Sequence, residues 1–267
     1  MNLEIIKIPK QKLSIEKNKK FRYFKRKIED SIEIKKKYGI PTLPIIDSTH
    51  FEIIEDIYEN PINQEEKLVT LTFDDGPSKY TKKLLDILNK NNSKATFFIL
   101  GSNIRGNEDI IKDIYKSGNE IGIHGYSHRP FTDMSTENID IEIATTYNML
   151  ESIGIRPSNI VRPPFGKLNE TIKEQVRSPF VLWNINPDDI RCSNKETLKN
   201  KIINELVPGS IIKLHDTSKV TLDALEELLP MLIQDGYKFT TIEEMNKKYS
   251  NILVPGRVYA KIKDLVA

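Results

Sequence analysis

Asp74 and Asp75 are adjacent aspartates that end an apolar run and are followed at once by Gly76 and Pro77. Neighbouring residues of a strand point to opposite faces, so both carboxylates can serve one centre only if the chain turns there. A Gly-Pro pair provides such a turn. One carboxylate can then bind a metal ion while the other moves a proton. The four residues also fit a solvated turn without a chemical role. The rest of the chain decides between a turn and a metal site.

The histidines favour the metal interpretation. His124 and His128 lie four residues apart, just after an apolar run. This spacing brings two imidazoles onto one face, where they can chelate zinc together with a carboxylate. His215 ends another apolar run, so three of the four histidines lie at the ends of predicted strands. A purely structural alternative makes His124 a strand-end residue and His128 a solvated loop residue.

Arg162 opens the segment Arg-Pro-Pro-Phe-Gly, in which an arginine leaves a strand and enters a rigid turn. The guanidinium can form a forked pair with a carboxylate, and the turn can aim a backbone N–H inward as an oxyanion donor. Cys192 is the single cysteine. It excludes an intrachain disulfide and a thiolate cluster, so any metal must use histidine and carboxylate ligands.

From about residue 67, short β-branched or aromatic runs alternate with amphipathic stretches, a pattern typical of β-α units around a parallel sheet. Strands are predicted at 67–73, 94–100, 120–124, 159–162, 179–184, 209–215 and 238–241, and helices near 79–91, 107–117, 136–152, 168–177, 195–206, 220–235 and 242–248. Seven such units predict an α/β fold that closes as a distorted (β/α)7-type barrel. In barrels of this kind the chemistry gathers at the carboxyl ends of the strands, where the candidate residues lie.

The chain divides into a mainly helical N-terminal extension at 1–65, a main domain at 66–248 and a C-terminal tail at 249–267. The extension holds a Lys-rich helix at 14–37 and a second helix at about 50–58. Residues 1–37 carry thirteen Lys and Arg against five Asp and Glu, a net charge of +8; because the chain carries +2, the remainder carries −6. Such a basic arm can contact an acidic partner, including a membrane surface, or pack on the domain as a solubilising helix.

The first twenty residues contain no apolar stretch of the ~7–15 residues that a signal peptide needs, and no stretch approaches the ~20 of a membrane span. This pattern predicts a soluble, cytoplasmic protein. A secreted chain whose leader had been removed would show the same pattern.

Taken in order, these segments resemble the NodB-type polysaccharide deacetylases over roughly residues 66–245. The family motif Thr-Phe-Asp-Asp-Gly-Pro is present unchanged. The motif His-(Ser/Thr)-x-x-His is similar to His124–His128, with Gly125 in place of the usual Ser or Thr. The motif Arg-x-Pro-Tyr-Gly is similar to 162–166, with Phe165 in place of Tyr. The resemblance makes 66–248 a NodB-like deacetylase domain.

The resemblance implies that Asp75, His124 and His128 hold one divalent metal ion, with Zn²⁺ expected and Co²⁺ or a similar ion as the alternative. Asp74 would be the general base for a water that the metal activates, and Arg162 would orient Asp74.

In the same resemblance the backbone N–H of Phe165 would help to stabilise the oxyanion, and His215 would protonate the leaving amine. Elementary chemistry agrees with these roles. Amide hydrolysis needs a nucleophile at neutral pH, relief for the oxyanion and a proton for a poor leaving group. A metal with an open position supplies the nucleophile, and a carboxylate and an imidazole supply proton transfer, each worth ~10²–10⁴-fold.

The sequence differs from the family motifs in the part of the expected site that would carry the acid and the acetyl pocket, whereas the metal-binding residues match. Asn186 stands where the family motif Asp-x-x-Asp-Trp has its first Asp, and Ile190 stands in place of its Trp. Asp189 remains, and it is the candidate to orient either His215 or Arg162. Lys213 replaces the leucine that usually lines the acetyl pocket, on the same strand face as His215. Its ammonium either meets an anionic substrate group or extends away with no role.

The main interpretation is a metal-dependent hydrolase that removes an N-acetyl group from an amino sugar, free or within a glycan. An O-acetyl esterase or a hydrolase of another linear amide would use the same groups. A carbohydrate-binding module that keeps the metal but has lost turnover is the alternative outside the enzymes, and the presence of His215 and Asp74 argues against it. No nucleic-acid partner is expected, because the basic arm carries no recognised motif.

Overall fold

We describe the protein from a computed structural model, in which residues 66–248 and 253–261 are described. The predicted N-terminal extension lies outside these residues, as do 249–252 and 262–267.

Seven strands lie in the described part of the chain, and every paired strand runs parallel to its neighbour. They are β1 (Lys67–Asp74), β2 (Ala95–Ile99), β3 (Glu120–Ile123), β4 (Phe180–Val181), β5 (Ile211–His215), β6 (Tyr237–Phe239) and β7 (Val258–Tyr259). Almost every residue of β1, β2, β3 and β5 is buried. Burial on both faces is the reason that these strands show continuous apolar runs rather than strict alternation.

The helices alternate with the strands along the chain. They are α1 (Thr81–Lys90), α2 (Glu108–Lys116), α3 (Thr136–Ser152), α4 (Glu170–Gln175), α5 (Lys195–Glu205), α6 (Lys219–Gln234) and α7 (Ile242–Lys248). Each buries a stripe of side chains, as α1 does with Leu84, Leu85 and Leu88. Helices begin at side-chain caps where the sequence offers one: Ser135 accepts a hydrogen bond from the Asn138 N–H, and Ser218 accepts one from the Thr221 N–H.

The sheet has the order β3–β2–β1–β5, with β6 beside the first half of β1. Single residues bridge the gap between β3 and β5: Val161 pairs with both Ile123 and Phe180, and Ile185 pairs with Ile212. The strands therefore close into a distorted (β/α)7-type barrel, which confirms the predicted fold class.

Three segments differ from the sequence prediction, one of them the strand expected at 179–184, which is shortened to β4. The strand expected at 159–162 is reduced to the bridging residue Val161. Pro163 and Pro164 follow it at once, and proline has no N–H to extend a ladder. Part of the segment assigned to a C-terminal tail belongs to the barrel, because β7 pairs with β4 and Tyr259 is buried.

The register places the candidate residues at one end of the barrel. Asp74 is the partner of His215 across the β1–β5 pair, and Ile99 is the partner of Ile123 across the β2–β3 pair. His124 follows directly after β3. Residues that are distant in sequence are thus brought to the carboxyl ends of adjacent parallel strands.

Within the described residues, no helix combines the length and the apolar character that crossing a membrane requires.

Candidate metal centre and catalytic groups

Asp75 turns the chain at the end of β1. Its φ of 66° is left-handed, a conformation that costs a non-glycine residue ~1–2 kcal/mol. Among the described residues, four of the five non-glycine residues with positive φ lie in strand-end loops of this site: Asp75, His128, Phe165 and Asp188. Strained backbone of this kind is concentrated at functional sites. The turn at Asp75 allows two adjacent carboxylates to face one centre.

Asp75, His124 and His128 form a compact group of possible ligands, with one donor atom of each within 4.8 Å of the others. The Asp75 Oδ1 lies 3.3 Å from the His124 Nε2 and 3.1 Å from the His128 Nε2. His124 is buried at the end of β3, whereas His128 is partly exposed in the following loop. The Phe165 ring packs on His128, with the ring centroids 4.7 Å apart.

The donor set fits a divalent cation. The His124 Nδ1 lies 2.7 Å from the carbonyl oxygen of Arg162, which can only accept a hydrogen bond. The proton of the neutral imidazole is therefore on Nδ1, and Nε2 presents a lone pair to Asp75. The Asp75 Oδ1 is itself buried without a hydrogen-bond partner. Two acceptors that face each other in this way need a cation between them.

The electrostatics of the group support the same view. Burial by itself would raise the pKa of Asp75, but hydrogen bonds from His124 and His128 in their protonated form outweigh burial and hold that pKa well below its usual range. Asp75 in turn raises the pKa of His128 against the opposing effect of burial. The carboxylate is thus kept in the ionised form that a metal ligand requires.

Asp74 and Arg162 form a buried pair beside the metal group. The Arg162 Nη1 donates to the Asp74 Oδ1 at 2.8 Å and to the Thr72 Oγ1 at 2.6 Å. The other guanidinium nitrogens donate to the carbonyl oxygens of Val181 and Leu182. Arg162 therefore contacts Asp74 as the sequence predicts, but through one nitrogen rather than as a fork.

His215 and Asp189 form a second buried pair. The His215 Nδ1 lies 2.8 Å from the Asp189 Oδ1, and the His215 backbone N–H donates to the Asp189 Oδ2 at 2.8 Å. The Thr221 hydroxyl also donates to Oδ2, at 2.6 Å. Burial alone would lower the pKa of His215. The Asp189 carboxylate has the opposite and larger effect, so the pKa of His215 lies above its usual value. The sequence left two possible partners for Asp189, His215 and Arg162. In the structure its partner is His215.

The His215 Nε2 points towards the metal group, 3.8 Å from the Asp75 Oδ2. Asp74 and His215 are also register partners. The structure therefore brings two pairs to the same metal group: Asp74 with Arg162, and His215 with Asp189.

Phe165 borders this group through its contact with His128, and Lys213 lies on β5 two residues before His215. Phe165 sits in the turn after Arg162 with a φ of 61°, and its side chain is 58% exposed. The Lys213 Nζ lies 4.5 Å from the centroid of the Trp183 ring. Ile190, which replaces the family's Trp, is 55% exposed.

Several supporting residues were missed by the sequence analysis. Glu142 of α3 accepts hydrogen bonds at its Oε2 from the N–H groups of Tyr126 and Ser127, both at 2.7 Å, and so holds the loop between the two metal-group histidines. No local signal marks this contact, because Glu142 lies fifteen residues from Ser127. Thr72 and Thr221, which bind Arg162 and Asp189, are similarly ordinary in sequence.

Asp216 is a further buried carboxyl beside the site. Burial raises its pKa to about 6, and the Thr81 hydroxyl, which donates to its Oδ2, opposes that rise. A Cβ added at Gly76 would lie 2.4 Å from this Oδ2. Glycine is therefore required at position 76 by this close approach as well as by the turn.

Comparison with known proteins agrees with this geometry. Residues 62–179 match the family described as polysaccharide deacetylase. The chain is 33% identical over 198 residues to the peptidoglycan-N-acetylmuramic acid deacetylase of Bacillus subtilis, a match that covers 73% of this chain and 42% of that protein. It is 32% identical over 197 residues to a peptidoglycan-N-acetylglucosamine deacetylase of Bacillus cereus, covering 70% and 91% respectively.

Among solved structures, the fold is similar to that of a family 4 acetyl xylan esterase from Clostridium thermocellum in complex with a cobalt ion. The TM-score is 0.69 at 33% identity, over 73% of this chain and 98% of the esterase. The chain spans less than half the length of the Bacillus subtilis relative, but nearly all of the esterase structure and of the Bacillus cereus relative. On these matches, the chain belongs to the polysaccharide deacetylase family.

Proposed function

We propose that this chain is a metal-dependent deacetylase that hydrolyses the N-acetyl group of an amino sugar, with peptidoglycan sugars as the substrate class. One observation carries the proposal: the unpartnered, buried Asp75 Oδ1 faces two imidazole nitrogens, with two separate proton-transfer pairs beside it. The substrate class is supported by the names of the relatives, which act on peptidoglycan.

Asp75, His124 and His128 would hold the metal, for which we propose Zn²⁺ or Co²⁺. Histidine and carboxylate ligands suit both ions, and the related esterase structure holds cobalt. When bound, such a metal supplies an activated water and polarises the scissile carbonyl.

Asp74 would accept the proton of the attacking water. Its Oδ1 receives the Arg162 hydrogen bond, which leaves Oδ2 for the proton. Arg162 is held by three further acceptors, so it fixes the orientation of the carboxylate. A positioned base of this kind contributes ~10²–10⁴-fold.

His215 would act as the acid. Its Nδ1–H is donated to Asp189, so the proton available to substrate is on Nε2, which faces the metal group. As the water oxygen bonds to the carbonyl carbon and the C–N bond breaks, this proton goes to the departing amine. The products are acetate and a free amino sugar. The Phe165 N–H is proposed as the oxyanion donor, from the turn that follows Arg162.

A second candidate activity is O-acetyl ester hydrolysis. It is favoured by the similarity to an acetyl xylan esterase, and it would use the same base and oxyanion donor. An alcohol leaves more readily than an amine, so ester hydrolysis would depend less on His215.

Acetate release over a panel of N-acetylated sugars, peptidoglycan fragments and O-acetylated xylan tests the proposal. We expect release from N-acetylated substrates that stops on chelation and returns with Zn²⁺ or Co²⁺. Release from xylan alone would favour the esterase. Full metal occupancy with glycan binding but no acetate from any substrate would refute the enzyme and favour a binding module. Cytoplasmic location and membrane contact through the basic arm stay predictions.

A further inference from the structure

Lys213 lies in the middle of β5, the strand that ends at His215. It precedes His215 by two residues on β5, so both side chains leave the same face of the strand. At ~3.3 Å rise per residue, their Cα atoms lie ~7 Å apart along the strand. Lys213 is the register partner of Thr72, whose hydroxyl binds Arg162. The lysine is partly buried.

The contact that holds the Lys213 ammonium is aromatic rather than ionic. Its Nζ lies 4.5 Å from the centroid of Trp183. The same indole also contacts Arg162, whose Cζ lies 5.5 Å from the centroid. Trp183 packs closely against the turn after Phe165, because a Cβ added at Gly166 would lie 2.7 Å from the ring. The indole therefore holds Lys213 near Arg162 and the turn that follows it.

Neither neighbouring acid neutralises this charge. Asp189 accepts hydrogen bonds from His215 and Thr221, and Asp188 pairs with Arg191 at 3.7 Å. Within residues 66–248 and 253–261, no carboxylate lies within 4.0 Å of the Lys213 Nζ. Because Asp74 is already paired with Arg162, the Lys213 ammonium has no carboxylate counter-ion among these described residues.

An ammonium has three N–H donors, and an aromatic face satisfies only part of its requirement. A carboxylate is the partner that completes it. In N-acetylmuramic acid, a lactyl carboxylate is attached at the carbon next to the one that bears the acetamido group. In N-acetylglucosamine the same position carries a neutral hydroxyl.

We infer that Lys213 and Trp183 form an anion subsite that selects acylamino sugars with a carboxylate next to the amide, as in N-acetylmuramic acid. This inference rests on the proposed deacetylase function. It accounts for a lysine where the family has an apolar pocket residue, since a lone ammonium there would hinder a neutral substrate.

A matched pair of substrates tests the subsite: N-acetylmuramic acid and its lactyl primary amide, which differ in charge but scarcely in shape. We expect the metal-loaded protein to prefer the acid in kcat/KM by about tenfold or more, as one hydrogen bond between charged groups provides. Lys213→Met should reduce this preference to about unity, and Lys213→Arg should retain most of it. Lys82→Met, on the exposed face of α1, changes the net charge equally and should keep the preference.

The subsite is overturned if the wild type releases acetate equally from both sugars, or if Lys213→Met keeps the preference for the acid. Either result leaves the deacetylase proposal standing. If no N-acetylated sugar is hydrolysed, the deacetylase proposal fails, and calorimetric binding of the same two sugars tests the subsite directly. Equal dissociation constants for the acid and the amide would then refute it, whereas tighter binding of the acid that Lys213→Met abolishes would support it.

Discussion

Replacing Asp189 with Asn should disable His215 while leaving the metal group in place. The Asp189 Oδ1 accepts the His215 Nδ1–H, and Oδ2 accepts both the His215 backbone N–H and the Thr221 hydroxyl. An amide has one acceptor oxygen. If that oxygen takes the place of Oδ2, the NH₂ group faces Nδ1, which must then accept a hydrogen bond, and the imidazole proton moves to Nε2.

The imidazolium form of His215 then becomes costly, because both ring nitrogens would donate and one would meet the amide NH₂. Burial still lowers the pKa of His215, and the carboxylate that outweighed burial is gone. We therefore expect the pKa to fall and the loss of activity at high pH to begin at a lower pH. Loss of an effective general acid should reduce kcat by about 10²–10⁴-fold, which corresponds to about 2.7–5.4 kcal/mol of barrier.

The assay is acetate release from an N-acetylated sugar as a function of pH, with metal content measured on the same samples. Thr221→Val is the matched control, because it removes one hydrogen bond to Asp189 and leaves the His215 pair intact; its kcat should fall by about tenfold at most. If Asp189→Asn keeps kcat within about threefold of the wild type at full metal occupancy, general acid catalysis through His215 is refuted. Loss of the metal from this variant would instead place Asp189 in the metal centre.

Three further predictions concern the groups around the metal. His124→Ala and His128→Ala should each lose the metal and the activity together, and an unchanged metal content by elemental analysis would exclude these ligands. Asp74→Asn should keep the metal while kcat falls by about 10²-fold or more; metal loss would mean that Asp74 is a ligand. Glu142→Ala should weaken metal affinity by about 10–100-fold, as changes to outer-shell groups do. Glu142→Gln should lose less because its oxygen can still accept, and equal affinities for both variants would contradict the role in holding the loop.

The barrel could be predicted from sequence because the strands are buried on both faces and appear as short apolar runs between amphipathic helices. The seven helices predicted between residues 79 and 248 agree with the structure to within two residues at each end, and α3 and α7 agree at both ends. The strand predicted at 159–162 was not found at that length. Its length depends on how many hydrogen bonds to neighbouring strands the chain can form before Pro163, and the apolar pattern carries no information about that number. The pairing of β7 with β4 was missed because a two-residue strand has no detectable period.

The sequence by itself determined the residues that can do chemistry, because their signals are local: adjacent carboxylates before a Gly-Pro turn, histidines four apart, and an arginine before a double proline. Only the tertiary structure decided which residues meet. It assigned Asp189 to His215, Glu142 to the loop before His128, and the indole of Trp183 to Lys213. These pairs lie 15 to 30 residues apart in the chain. Their contact depends on strand register and on the direction in which each loop leaves the barrel, neither of which is encoded in local spacing.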